Sequence, residues 1–224
     1  MTTSASMIRV LSILISLWVF VGPQLAQAQE KAVSPKTPVI LVVGDSLSAE
    51  YGIRRGAGWV QWLIENKKEA LDDARLVNAS ISGDTTAGGR SRLPALLEKH
   101  QPDIMILELG ANDALRGLSL DASRDNLKSM IDAAQERNAK VVLIGMQIPP
   151  NFGPDYARQF EQMFGTLAKE KDTYLVPFLF SSFALDRNMY QDDGIHPAEQ
   201  AQPLMAQTVW PVLEKALTDY RQSR

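Results

Sequence analysis

The chain has 224 residues, 45% hydrophobic and 22% charged, with a formal net charge of -3 and no cysteine. A mildly acidic chain without Lys/Arg blocks offers no electrostatic footprint for nucleic acid, and no basic amphipathic run marks a membrane-surface helix. The lack of cysteine excludes disulfides, a thiolate nucleophile and thiolate metal sites; a chain of this size buries roughly 70% of the surface its unfolded state exposes and folds without such staples.

At the N-terminus Arg9 precedes the apolar run Val10 to Gly22, and Ala26-Gln27-Ala28 puts small residues at the positions that direct cleavage. This pattern predicts a signal peptide over residues 1–28. The uninterrupted apolar part falls short of the roughly 20 residues a spanning helix needs. Removal of the peptide with Arg9 takes the charge from -3 to -3 - 1 = -4. The expectation is a periplasmic or secreted protein with no integral membrane span after processing. A polar leader, 29–37, then precedes a single domain over 38–224, which holds no internal repeat and no low-complexity linker.

Val39 to Gly44 (VILVVG) reads as a first strand, apolar enough to be buried on both faces. It runs into Gly44-Asp45-Ser46-Leu47-Ser48, which sets a hydroxyl at a strand's carboxyl end and makes Ser46 the candidate nucleophile. Alone, the stretch equally fits a tight turn in which Asp45 or Ser46 caps a helix, and Ser48 breaks the Gly-x-Ser-x-Gly elbow of the larger α/β-hydrolases. Trp59 to Lys68 follows with helical apolar spacing, and Arg75 to Asn78 is the second strand. The polar loop after it enters a helix over Thr86 to Lys99, with Asp84 or Thr85 as its cap; Gly83 there either exposes a backbone N–H or merely turns the chain. Asp103 to Leu109 is the third strand. Gly110-Ala111-Asn112-Asp113 follows it, and Asn112 is either a carboxamide donor or a turn former. Ser123 to Asn138 reads as helix, Lys140 to Ile144 as strand, Asp155 to Lys171 as helix and Thr173 to Val176 as strand. A last helix spans Pro197 to Tyr220, with Pro197 as its first residue.

The repeating strand-helix order implies a parallel sheet covered on both sides, with function at the carboxyl ends of its strands. Ser46, Gly83 and Asn112 then meet at one sheet edge, where a nucleophile and two donors converge on one oxygen to form an oxyanion hole. The stretch Gln191 to Pro197 (QDDGIHP) adds one of only two histidines. His196 would take the Ser46 proton, while Asp193, three residues earlier, would hold the imidazole tautomer and stabilise its cation. Asp192 is the competing carboxylate and is expected to face solvent. The other histidine, His100, closes a helix, where a cation suits the dipole. Neither a multi-histidine zinc set nor a glycine-rich phosphate loop is present.

These residues resemble the GDSL or SGNH hydrolases, whose blocks centre on a Ser, a Gly, an Asn and a His with an Asp three before it. The resemblance is closer to the bacterial periplasmic thioesterase I, arylesterase and lysophospholipase type. It runs through GDSLSAEYG, VNASISGDTTAGGRSRLPALL, LELGANDALRG and QDDGIHP, from about Val39 to the C-terminus. It implies a flavodoxin-like three-layer α/β/α sandwich with a central parallel sheet. The implied enzyme is a monomer that hydrolyses small-molecule acyl esters or thioesters, lipids among them, through an acyl-Ser46 intermediate, with no metal or organic cofactor. The oxyanion hole implied is Ser46, Gly83 and Asn112. Leu115, in the loop DALRGLS, and Ile148, in MQIPPNFG, are suggested as acyl contacts, although both also suit the core. Glu50 stands where these relatives commonly carry Gly; it is expected on the rim near Ser46, biasing against anionic substrates. Two rival classes remain. One is a binding protein that kept this fold without the chemistry, against which the complete set of Ser46, Gly83, Asn112, Asp193 and His196 speaks. The other is an esterase with the same triad acting on carbohydrate acetyl esters.

Overall fold

Apolar runs of strand length form the centre of the molecule: β1 (Val39–Gly44), β3 (Ile104–Glu108) and β4 (Lys140–Ile144) are buried at nearly every position, whereas β2 (Arg75–Asn78) is not. With β5 (Tyr174–Val176) they pair in the order β2-β1-β3-β4-β5, all parallel. This is the flavodoxin-like order, in which the chain reverses direction across the sheet between β1 and β3 and opens a crevice at that switch point. The computed structural model describes residues 37–224; the signal peptide predicted over 1–28 and the leader up to residue 36 lie outside the described residues.

Helices cover both faces. On one, α1 (Trp59–Asn66) packs against α7 (Gln202–Gln222), which also lies on β4 and β5; on the other, α3 (Thr86–His100) packs against α5 (Leu120–Gln135), and α5 against α6 (Pro154–Glu170). Trp59, Phe160, Phe164 and the apolar side chains from Ile40 to Val43 of β1 and from Ile104 to Leu107 of β3 are fully buried, an aliphatic or Phe side chain stabilising by roughly 1.5–3 kcal/mol when so buried.

Local chemistry sets the helix ends. Thr85 caps α3 through a bond from the Gly88 N–H, 3.2 Å. Ser119 does the same for α5 from the Ala122 N–H, 3.2 Å, so this helix starts three residues before the predicted Ser123 and ends earlier. A four-residue helix, α2 (Lys68–Leu71), follows α1. The last helix does not begin at Pro197. That residue pairs with Tyr190 in an isolated antiparallel bridge, the Ala198 N–H donates to the Met189 carbonyl at 2.8 Å, and a 3-10 turn (Glu199–Ala201) intervenes. Extended pairing holds Pro197 outside the helix, and Pro203 occupies the first turn of α7 instead.

Candidate active site

Register levels the strand ends: Gly44 of β1 faces Glu108 of β3, and Val42 faces Asn78 of β2. Ser46 therefore leaves the sheet beside the connections that carry Gly83 and Asn112. No helix follows it directly; the chain turns, and α1 begins only at Trp59 behind Gly58. Ser46 is thus not a helix cap. Asp45 shapes the turn, with Oδ1 accepting from the Leu47 N–H at 3.0 Å and Oδ2 accepting from the Asn112 carboxamide at 3.0 Å.

Gly83 sits in a turn closed by the Asp84 N–H on the Ile81 carbonyl, 3.1 Å, with a φ of +79° that disfavours any other residue. Among the described residues neither the Ser46 nor the Gly83 backbone N–H has an acceptor. Asn112 lies in a short helix, α4 (Ala111–Leu115), where a loop was expected. Gly110, at φ +118°, turns the chain from β3 into it. Asp113 then fixes it, accepting from the Thr86 N–H at 2.8 Å and from the Thr86 and Ser123 hydroxyls.

The histidine segment is a tight loop held at its base by the Gln191 N–H on the His196 carbonyl, 2.8 Å, and at its tip by the Gly194 N–H on the Gln191 carbonyl, 2.9 Å. Asp193 Oδ1 accepts the Ile195 and His196 N–H groups, both at 2.9 Å, and its Oδ2 lies 2.7 Å from His196 Nδ1. His196 Nε2 lies 3.0 Å from Ser46 Oγ. Burial pushes the Asp193 carboxyl up, but the bonds from those two N–H groups and from the imidazole outweigh it and hold it down at about 2. Asp192 is exposed. Tyr51 lies against the imidazole, ring centroids 4.4 Å apart, and the Gln191 carboxamide donates to the Tyr51 carbonyl at 2.9 Å, tying the serine and histidine segments together.

Behind Ser46 lies a pair of buried acids that the sequence motifs do not mark. Glu108 and Asp45 are both fully buried. Glu108 Oε2 accepts the Ser48 hydroxyl at 2.8 Å and the Asp45 N–H at 3.3 Å, while its Oε1 has no partner among the described residues. Burial pushes Glu108 well above the usual range, and the Asp45 charge pushes it further. Burial also raises Asp45, to about 6, against bonds from Leu47 and Asn112 and the nearby charge of His196. Two carboxylates in one dry site disfavour ionising together, and the upward push is the stronger on Glu108. A glutamate within the otherwise apolar run Ile104 to Leu109 is the available signal, because buried acids are rare unless paired.

The structure also places Glu50, Leu115, Ile148 and His100. Glu50 closes the loop between the Ser46 turn and α1: Oε2 accepts the Gly56 N–H at 2.9 Å and Oε1 the Gly58 N–H at 3.0 Å. Leu115 belongs to α4, partly buried against the core, and Ile148 is buried within it. His100 ends α3 as predicted, but partial burial, with the Lys99 and Arg75 charges, lowers its imidazole, so the cation is disfavoured there.

The fold and this array together define a class, the three-layer α/β domain of SGNH type with its polar residues gathered at the strand ends. The chain belongs to the GDSL-like lipase/acylhydrolase family, whose profile matches residues 42–202. It is 47% identical over 178 residues to esterase TesA of Pseudomonas aeruginosa, covering 80% of this chain and 89% of that one. It is 38% identical over 211 residues to the arylesterase of Vibrio mimicus (94% and 100%), and 41% identical over 167 residues to thioesterase 1/protease 1/lysophospholipase L1 of Escherichia coli K12 (75% and 79%). A crystal structure of TesA matches with a TM-score of 0.77 at 46% identity, covering 80% of this chain and 99% of that one.

Proposed function

We propose that the protein is a serine hydrolase that cleaves acyl esters and thioesters through an acyl-Ser46 intermediate. The observation that carries this is the unbroken chain from Ser46 Oγ to His196 Nε2, 3.0 Å, and from His196 Nδ1 to Asp193 Oδ2, 2.7 Å; the names of the relatives supply the substrate class. Asp193 keeps the Nδ1–H tautomer, leaving Nε2 free to accept the Ser46 hydroxyl proton as Oγ attacks the acyl carbonyl. The tetrahedral oxyanion is held by the Ser46 and Gly83 N–H groups and the second carboxamide proton of Asn112, whose first is engaged by Asp45. Collapse breaks the bond to the leaving oxygen or sulfur, which takes the proton from Nε2. Water, deprotonated by the same nitrogen, then releases the acid and restores Ser46. Leu115 and Ile148 flank the acyl chain in this reading.

We infer that the chain is exported with loss of residues 1–28, a reading that rests on the apolar run and the Ala26-Gln27-Ala28 site and is checked by N-terminal sequencing of the mature protein. The enzymatic reading is tested with a series of p-nitrophenyl and acyl-CoA esters of increasing chain length, together with fluorophosphonate labelling. Turnover and labelling should both vanish in Ser46→Ala; persistent labelling at another serine would sink the assignment. Acetyl-only turnover would transfer the enzyme to the carbohydrate-ester class.

A further inference from the structure

Two donors of the proposed oxyanion hole come from different connections, the Ser46 N–H from the turn after β1 and the Gly83 N–H from the turn after β2. Such a hole works only when its members are held to within about 0.5 Å of the productive geometry. Asn78 joins them once, its carboxamide donating to the Ser48 carbonyl at 2.7 Å and accepting the Ser80 N–H at 3.1 Å, and an arginine joins them at three points. Arg92, in the second turn of α3, reaches beneath them with its side chain only 20% exposed. Its Nε donates to Asp84 Oδ2 at 2.7 Å, Nη1 to the Ala79 carbonyl, and Nη2 to the Gly44 carbonyl at 3.2 Å. The Gly44 carbonyl also accepts the Ile81 N–H at 3.0 Å, and the Asp84 N–H closes back on the Ile81 carbonyl. The Gly83 turn is therefore pinned at both ends, at Ile81 through Gly44 and at Asp84 through Arg92. The same guanidinium holds the carbonyl two residues before Ser46.

The sequence leaves room for this pair. A Cβ at Gly88 would come within 2.0 Å of Asp84 Oδ1, so glycine, a poor helix former, stands in the first turn of α3 where the Asp84 carboxylate needs the space. Asp84 is itself only 11% exposed at its side chain, and a carboxylate that dry requires its cation.

We propose that Arg92 is a positioning residue that sets the Ser46 and Gly83 backbone donors in register with each other and so governs how strongly the oxyanion is held. The inference rests on the proposed roles of Ser46 and Gly83. Its chemical basis is the planar guanidinium fork, which serves three acceptors in fixed directions; an ammonium carries the charge without those directions.

Arg92→Lys keeps the charge and removes the fork. Steady-state kinetics on a p-nitrophenyl ester should show kcat lower by about 10- to 100-fold, somewhat less than outright loss of an oxyanion donor, with KM little changed. In Arg92→Ala, millimolar guanidinium or methylguanidinium ion should restore part of kcat, a rescue that general loosening of the fold would not give. The proposal is overturned by an Arg92→Lys enzyme with kcat within twofold of wild type, by a loss confined to KM, or by a folded, slow Arg92→Ala enzyme that guanidinium leaves unchanged. An Arg92→Lys chain that fails to fold would assign Arg92 to the framework and overturn it equally. Activity surviving Ser46→Ala would instead remove the proposed function, whereas labelling at Ser46 with an indifferent Arg92→Lys variant removes this inference alone.

Discussion

Asp192 and Asp193 are adjacent, of the same type, and differ in where their oxygens go. Both are exposed, but Asp193 divides its work, with Oδ1 on two backbone N–H groups and Oδ2 on the imidazole, whereas the Asp192 side chain bonds to no group among the described residues. Asp193→Asn preserves the first half, because the amide oxygen still accepts from Ile195 and His196. The amide nitrogen then faces Nδ1 and donates to it, so the proton moves to Nε2, which can no longer accept from Ser46. Turnover should fall on the order of 10⁴-fold, as in other triads with this change, while Asp192→Asn, acting only through solvent screening, should cost little. Initial-rate kinetics of the two variants decide the matter, and equal losses would defeat the assignment. The depressed Asp193 value also has a sign: its contribution to stability is complete above the ordinary carboxylate range and is lost as pH falls from about 4 towards about 2.

Among the elements, α4 depends most on side-chain bonding, because five residues are too few to sustain a helix by propensity. Asp113, 3% exposed, joins it to the start of α3 through Thr86 and to α5 through Ser123. Asp113→Ala strands the Thr86 N–H in the interior and should destabilise by about 2–4 kcal/mol, since buried donors left without partners cost about 1–3 kcal/mol each. Urea denaturation measures this; a change under about 0.5 kcal/mol, the range of ordinary surface substitutions, would mean the contact carries no weight. The helix also shows where the sequence was hard to read. Buried strands were legible to within a residue because β1, β3 and β4 are continuous apolar runs. A five-residue helix spans too little of the 3.6-residue period to register, so the sequence around Leu115 looks like loop. The start of α5 depended on one hydroxyl, Ser119, and the start of α7 on which of two prolines was free of strand-like pairing. Ser46, Gly83, Asn112, Asp193 and His196 could be collected from the sequence because each stands in a polar break on the carboxyl side of a strand. Their supports could not. Asp45, Glu108 and Arg92 act through side-chain directions across long sequence separations, which local pattern does not encode.

For the molecule as a whole, the two acids behind Ser46 make stability depend on pH in the direction opposite to Asp193. The folded chain keeps a proton on Glu108, and on Asp45 up to about pH 6, that the unfolded chain releases near its ordinary carboxylate values. Folded protein thus binds more protons in that window, and its stability falls as pH rises, by about 1.4 kcal/mol per pH unit for each proton so held. His100 works the other way, its lowered imidazole adding stability as pH rises towards the ordinary histidine value, so wild type alone does not isolate the acids. Glu108→Gln does. Both bonds to Glu108 converge on Oε2 and Oε1 has no partner, so a glutamine can put its oxygen in the accepting place and its amide where the acid carries its proton. The His100 contribution cancels between the two proteins. Urea unfolding at pH 5 and pH 8 should show the wild type losing more stability between the two conditions than Glu108→Gln loses. Parallel stability curves would mean that Glu108 releases its proton in the folded chain as readily as in the unfolded one, and the neutral acid behind Ser46 would have to be abandoned.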